Sequence, residues 1–203
     1  MHLVCADLEG VFVPEIWINV AERTGIDKLR MTTRDISDYD ELMGMRIEVM
    51  RENNLKLKDV TDVIATMDPL PGAREFLDWV RSQVPLIIVS DTFTQFAGPL
   101  MEKLGRPALF CNTLVIDEQG AVSGYQLRQQ DGKRHVARAL KSLNFTVTAM
   151  GDSYNDTTML MEADNGILFR PPQNVIDEFP QFPVVRDYDQ IRGILGRIFA
   201  EQQ

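Results

Sequence analysis

Short, almost unbroken apolar runs recur along the chain and alternate with stretches whose apolar residues return every three or four positions. Five runs have the length and composition of buried strands: Leu3 to Ala6, Pro85 to Val89, Ala108 to Phe110, Val147 to Met150 and Gly166 to Phe169. The helical period is clear in "GAREFLDWVRSQ" (72–83), "QFAGPLMEKLG" (95–105) and "KRHVARALKSL" (133–143). Strands that alternate with helices predict an α/β fold on a doubly wound parallel sheet, because parallel neighbours need a crossover and a helix supplies it.

Two segments break the alternation. Between residues 14 and 68 no strand pattern occurs, and "EIWINVAERTG", "YDELMGMRIEVMRENN" and "LKDVTDVIATM" all read as helices. The expectation is a small helical cap subdomain over 14–68, inserted into a core domain of 1–13 and 69–203. The second segment, "TLVIDEQGAVSGYQL" (113–127), carries a Glu-Gln-Gly turn between two alternating runs and predicts a β-hairpin.

Composition narrows the function. The 203 residues are 44% hydrophobic and 25% charged, ordinary for a globular protein. A net charge of −9 argues against a nucleic-acid partner, since phosphate backbones are held by clustered Lys and Arg. No apolar window has the length of a membrane span, and the first residues read as a strand rather than a signal peptide. Cys5 and Cys111 sit in apolar runs and read as free buried thiols. The expectation is a cytoplasmic protein acting on small molecules, with no nucleic-acid or membrane partner; a homodimer is left open.

Ligands of a doubly wound sheet bind beyond the C-terminal strand ends, and here those ends carry polar residues. Asp7 and Glu9 follow the first strand, Ser90 and Asp91 the second, Asp152 and Asp156 a later one, and Lys133 opens a helix. An extended chain would keep Asp7 and Glu9 on one side, and Gly10 lets it turn away immediately afterwards. Acids gathered this way resist ionisation unless a cation joins them. Mg²⁺ suits such a set, taking one or two carboxylates while keeping waters and phosphate oxygens as its other ligands. Lys133 and Ser90 then suit a phosphate. A carboxylate aimed at that phosphate can act as a nucleophile, and a second acid can move the proton.

In order along the chain, "DLEGV", Ser90 in "LIIVSDTF", Lys133 in "DGKRHVARAL" and "GDSYND" (151–156) resemble the four motifs of the haloacid dehalogenase-like phosphatases. The resemblance spans essentially the whole chain, and the helical insertion resembles the cap of the branch that acts on phosphoserine. It implies a Mg²⁺-dependent enzyme with Asp7 as nucleophile and Glu9 as general acid/base. The implied metal ligands are Asp7, Glu9 and Asp152, with Glu9 contributing its carboxylate or its main-chain carbonyl. Glu15, Arg46, Ser90, Asp91, Lys133 and Asn155 form the implied substrate-binding set. Glu15 would meet an ammonium and Arg46 a carboxylate, and Asn155 would lie near the metal and phosphate. Two departures, Glu9 for the usual Asp and "SDTF" for S-G-G-F, are similar to the bifunctional members of that branch. Those members hydrolyse phosphoserine and can pass its phosphoryl group to homoserine instead of water.

Other readings compete at several positions. Asp156 reads as a metal ligand, a helix cap or a residue behind the ligands. Glu15 could be no more than an acid in a first helical turn. Arg46 shares its helix with Glu48, Arg51 and Glu52, so an exposed ion pair is the alternative. His2 and His135 lack metal-like spacing. For function, a phosphatase of another small metabolite without transferase activity is the near alternative, and a receiver-like phospho-acceptor module the distant one.

Overall fold

Strand β1 (His2–Ala6) is buried at every position, as a central parallel strand covered on both faces must be. In the computed structural model, which describes residues 1–33, 35–36 and 38–200, Val4 and Ala6 enter one apolar core and Leu3 and Cys5 another. The alternation is the two-residue period of a strand displayed on two faces. β1 pairs in parallel with β2 (Leu86–Phe93) on one side and with β5 (Thr146–Gly151) on the other. With β3 (Ala108–Ile116), β4 (Val122–Gln126), β6 (Asn165–Phe169) and β7 (Val184–Val185), they form a seven-stranded sheet in the order β4-β3-β2-β1-β5-β6-β7. Only the β3–β4 pair among these is antiparallel. The chain runs outward from β1 through β2 and β3, then returns to β1's far side as β5. That reversal opens a crevice between β1 and β5.

Helices cover both faces, so the doubly wound α/β reading holds. α1 (Ile16–Thr24), α2 (Tyr39–Glu52), α3 (Leu57–Thr66), α4 (Ala73–Gln83), α5 (Thr94–Lys103) and α9 (Tyr188–Ala200) contribute to the core on the Val4 side. α6 (Gly132–Ser142), α7 (Thr157–Glu162) and α8 (Gln173–Glu178) contribute to the core on the Leu3 side. α1 to α3 follow β1 with no strand among their described residues, in line with the helical pattern there. This helical segment rests on the β3–β4 hairpin. The Tyr39 and Tyr125 rings meet edge to face at 5.7 Å, the Tyr125 hydroxyl bonds Asp40, and the Leu57 N–H donates to the Gly120 carbonyl at 3.0 Å.

The structure revises two expectations. Ser90 and Asp91 do not follow β2 but lie inside it, because pairing with β3 resumes at Phe93–Asn112 after a register shift. The run 108–110 and the first hairpin arm are one strand that exchanges partners: β3 pairs with β2 up to Asn112 and with β4 from Thr113 onward. β7 spans only two residues and is defined by its pairing with Leu168 and Phe169.

Candidate active site

The site lies where β1 and β5 end. The Asp7 N–H donates to the Met150 carbonyl at 2.9 Å, which extends the parallel ladder one residue and delivers Asp7 to the crevice. Asp152 follows β5 directly. Carboxylate oxygens of Asp7, Asp152 and Asp156, all buried, lie within 4.8 Å of one another. Two glycines make this approach feasible. A Cβ on Gly10 would sit 2.4 Å from the Asp152 carboxyl carbon, and one on Gly151 would sit 2.3 Å from that of Asp156. Gly10 also has φ +74°, a conformation that costs a residue with a Cβ roughly 1–2 kcal/mol. Gly10→Ala is therefore expected to push Asp152 aside and weaken divalent-cation binding about tenfold. Calorimetric titration with Mg²⁺ checks this, and an unchanged affinity would show that the close packing is not needed.

Asp156 carries a different load from its two neighbours. Its Oδ1 accepts from Lys133 Nζ at 2.7 Å, and its Oδ2 accepts from the N–H groups of Asp152 (2.9 Å) and Ser153 (3.1 Å). With both oxygens engaged by the protein, Asp156 holds the lysine and the 151–156 loop in place. Asp7 and Asp152, whose carboxylates meet where β1 and β5 end, are placed to take a cation. Asp7 Oδ1 lies 3.1 Å from Lys133 Nζ but off the line of a hydrogen bond, so this buried oxygen has no hydrogen-bond donor among the described residues. An all-carboxylate set with such an oxygen fits a hard cation such as Mg²⁺.

Lys133 answers the acids. Only 3% of its side chain is exposed, with Asp156, Asp7 and Asp91 carboxylates at 2.7, 3.1 and 3.5 Å. Burial opposes its charge, but these neighbours hold its proton more firmly than usual. Burial and the Asp156 charge push the Asp7 carboxyl well above the ordinary range, and Lys133 only partly offsets them.

Glu9 does not join the carboxylate group. Tight bonds from Gly10 to Val13 and from Phe12 and Val13 back to Leu8 end the extended chain at once. The geometry that would keep both acids on one side is lost, and Glu9 Oε2 instead accepts the Ile16 N–H at the start of α1, at 2.8 Å. Of the three expected metal ligands, the structure thus gathers the carboxylates of Asp7 and Asp152 without that of Glu9, which leaves only its main-chain carbonyl for that role. Burial, followed by the neighbouring charge of Glu15, pushes the Glu9 carboxyl up to about 8. Glu15 occupies the N-cap position of α1 but makes no capping bond with its side chain, so helix capping does not account for it.

Arg46 is buried, which removes the exposed-pair reading; Arg51 pairs with Glu48 instead. Its guanidinium lies over the Trp17 ring at 4.7 Å, Nη2 donates to the Met31 carbonyl at 2.9 Å, and Nε is buried without a partner among the described residues. Burial pulls its pKa down to about 10, with Glu9 and Glu15 among the groups opposing the shift. Ser90 is buried beside Asp91, and its Oγ accepts the Thr92 N–H at 3.2 Å. Asn155 Nδ2 donates to Asp91 Oδ2 at 2.9 Å, tying the 151–156 loop to β2. All the candidate residues thus fall into two adjoining groups, one on the sheet crevice and one, Glu9, Glu15 and Arg46, where α1 and α2 meet it.

Sequence reasoning missed Tyr39, Trp17 and Asn112. Tyr39 donates through its hydroxyl to the Asp91 carbonyl at 3.1 Å, and Asn112 Nδ2 donates to the same oxygen at 3.2 Å. No local pattern marks an aromatic or an amide for contacts across such sequence distances.

A haloacid dehalogenase-like hydrolase family model matches residues 16–161. The chain belongs to that family. Two relatives extend the match to this haloacid dehalogenase-like hydrolase over nearly its whole length. Phosphoserine phosphatase ThrH of Pseudomonas aeruginosa is 57% identical over 192 residues, covering 95% of this chain and 94% of its own. A phosphoserine phosphatase of Pseudomonas syringae pv. tomato is 56% identical over 192 residues, covering 95% and 81%. Among solved structures, an apo phosphoserine phosphatase superposes with a TM-score of 0.76 at 20% identity, over 96% of this chain and 98% of that one. A substrate-bound phosphoserine phosphatase gives 0.76 at 18% identity, over 95% and 97%. At those identities the superpositions establish a shared fold and nothing more.

Proposed function

We propose that this hydrolase is a Mg²⁺-dependent phosphoserine phosphatase that works through a phosphorylated Asp7 and can also deliver the phosphoryl group to L-homoserine. The observation that carries the reading is the pairing of an Asp7–Asp152–Lys133 crevice with an adjoining buried Arg46 whose Nε lacks a partner among the described residues. The names of the two relatives support the substrate. Residues 14–68 act as a cap over a core of 1–13 and 69–203, closing on the substrate and excluding water.

When bound by Asp7 and Asp152, Mg²⁺ would neutralise negative charge on the phosphoryl oxygens. Lys133, held by Asp156, and the Ser90 hydroxyl donate to those same oxygens, with Asn155 alongside. Arg46 takes the substrate carboxylate and Glu15 its ammonium. An Asp7 carboxylate oxygen attacks phosphorus in line, and the bond from phosphorus to the serine oxygen breaks. Glu9, whose carboxyl holds its proton near neutral pH, gives that proton to the departing oxygen. It then takes a proton from the incoming water or alcohol, which attacks phosphorus and frees Asp7. A bound alcohol competes with water at about 55 M because good orientation provides effective molarities of roughly 10⁵–10⁸ M.

One incubation of phosphoserine and homoserine with Mg²⁺, resolving serine, free phosphate and homoserine phosphate, tests the reading. Serine release with both phosphate products is expected. No serine release removes the substrate, and free phosphate alone at saturating homoserine removes the transfer. Arg46→Ala is expected to lower kcat/KM for phosphoserine by about tenfold or more, mainly through KM, because a charged hydrogen bond contributes roughly 1.5–3 kcal/mol. A phosphate ester lacking a carboxylate should be spared. Equal loss on both esters counts against the contact.

A further inference from the structure

Asp91 places a fourth carboxylate at the phosphoryl site, and that carboxylate occupies donors the phosphoryl group needs. Its Oδ2 accepts from Asn155 Nδ2 at 2.9 Å and lies 3.5 Å from Lys133 Nζ. Its main chain is anchored, since Tyr39 Oη and Asn112 Nδ2 both bond its carbonyl. The side chain is freer than its neighbours: it is 39% exposed, against 6% for Asp7 and 0% for Asp156. It can therefore swing away from Lys133 where the other two acids cannot.

We infer that Asp91 is a built-in competitor for the phosphoryl site, one that weakens the hold on free inorganic phosphate and so favours its release. This rests on the phosphoryl-transfer reading and deepens it. An incoming phosphate must take Asn155 and Lys133 from Asp91 and then sit beside a displaced negative charge. Phosphoserine recovers that cost through its carboxylate and ammonium at Arg46 and Glu15. Inorganic phosphate has neither group, so Asp91 weakens its hold and speeds its departure after turnover.

The test is the dissociation constant of inorganic phosphate, measured by calorimetry on Mg²⁺-saturated wild type, Asp91→Asn and Asp91→Ala, with melting curves to confirm folding. Both variants are expected to bind phosphate about fivefold more tightly, the scale of losing one partly exposed ionic competitor. The sign separates competition from support. If Asp91 only propped up Lys133 and Asn155, its removal would weaken phosphate binding. Unchanged or weaker binding overturns the inference, and Asp91→Asn decides where the two variants differ, because it preserves volume. Phosphoserine turnover by the same wild-type preparation distinguishes the two levels. With turnover present, an unchanged constant removes only the competitor role; without turnover, the phosphoryl-transfer reading and the inference fall together.

Discussion

Asp7→Asn is expected to lower phosphoserine turnover at least about a thousandfold, equivalent to roughly 4 kcal/mol of barrier. The amide keeps the shape of the carboxylate but cannot accept the phosphoryl group in its place. Stability should move the other way. In the metal-free protein Asp7 is one of three buried carboxylates drawn together, and removing one repelling charge is expected to raise the melting temperature by about 2–4 °C. Lower activity with higher stability marks a residue kept for chemistry at the expense of the fold. A stopped assay with phosphoserine and a melting curve without metal check both halves. Near-normal turnover would remove Asp7 as nucleophile, and a lower melting temperature would show that its charge is compensated.

Lys133→Met should damage both properties. The lysine is 97% enclosed and is the cation facing Asp7, Asp91 and Asp156. Removing one member of a buried charge group leaves the others uncompensated, which typically costs about 3–5 kcal/mol. Urea unfolding should show that loss, and it should shrink in Mg²⁺, which supplies the missing positive charge to the same carboxylates. Turnover in Mg²⁺ is still expected to fall at least about a hundredfold, since the proposed donor to the phosphoryl oxygens has gone. Destabilisation below about 1 kcal/mol would mean that the three acids do not depend on this lysine.

Much of the scaffold was legible along the chain because it is written locally. A buried strand shows as an apolar run, a surface helix as a period near 3.6, and a strand end as a change from apolar to polar. These local marks placed β1, β5 and β6, the helical segment after β1, and the acids at the crevice. They failed where pairing decides structure. β3 reads as two short pieces because it serves two different partners, and β7 exists only because β6 offers it an edge.

The sequence by itself determined which chemical groups reach the candidate site: Asp7, Glu9, Ser90, Asp91, Lys133, Asp152 and Asp156. Tertiary structure alone decided what each carboxylate binds. Glu9 turned to the first N–H of α1, Asp156 spent its oxygens on Lys133 and the 152–153 backbone, and Asp91 reached an amide 64 residues away. A carboxylate has no fixed partner of its own; it takes the donors that folding brings within about 3 Å. Here Lys133 and Asn155 arrive from far along the chain, while the Ile16, Asp152 and Ser153 N–H groups are brought round by tight local turns, so the acids could be located from their order while their separate roles emerged only in three dimensions.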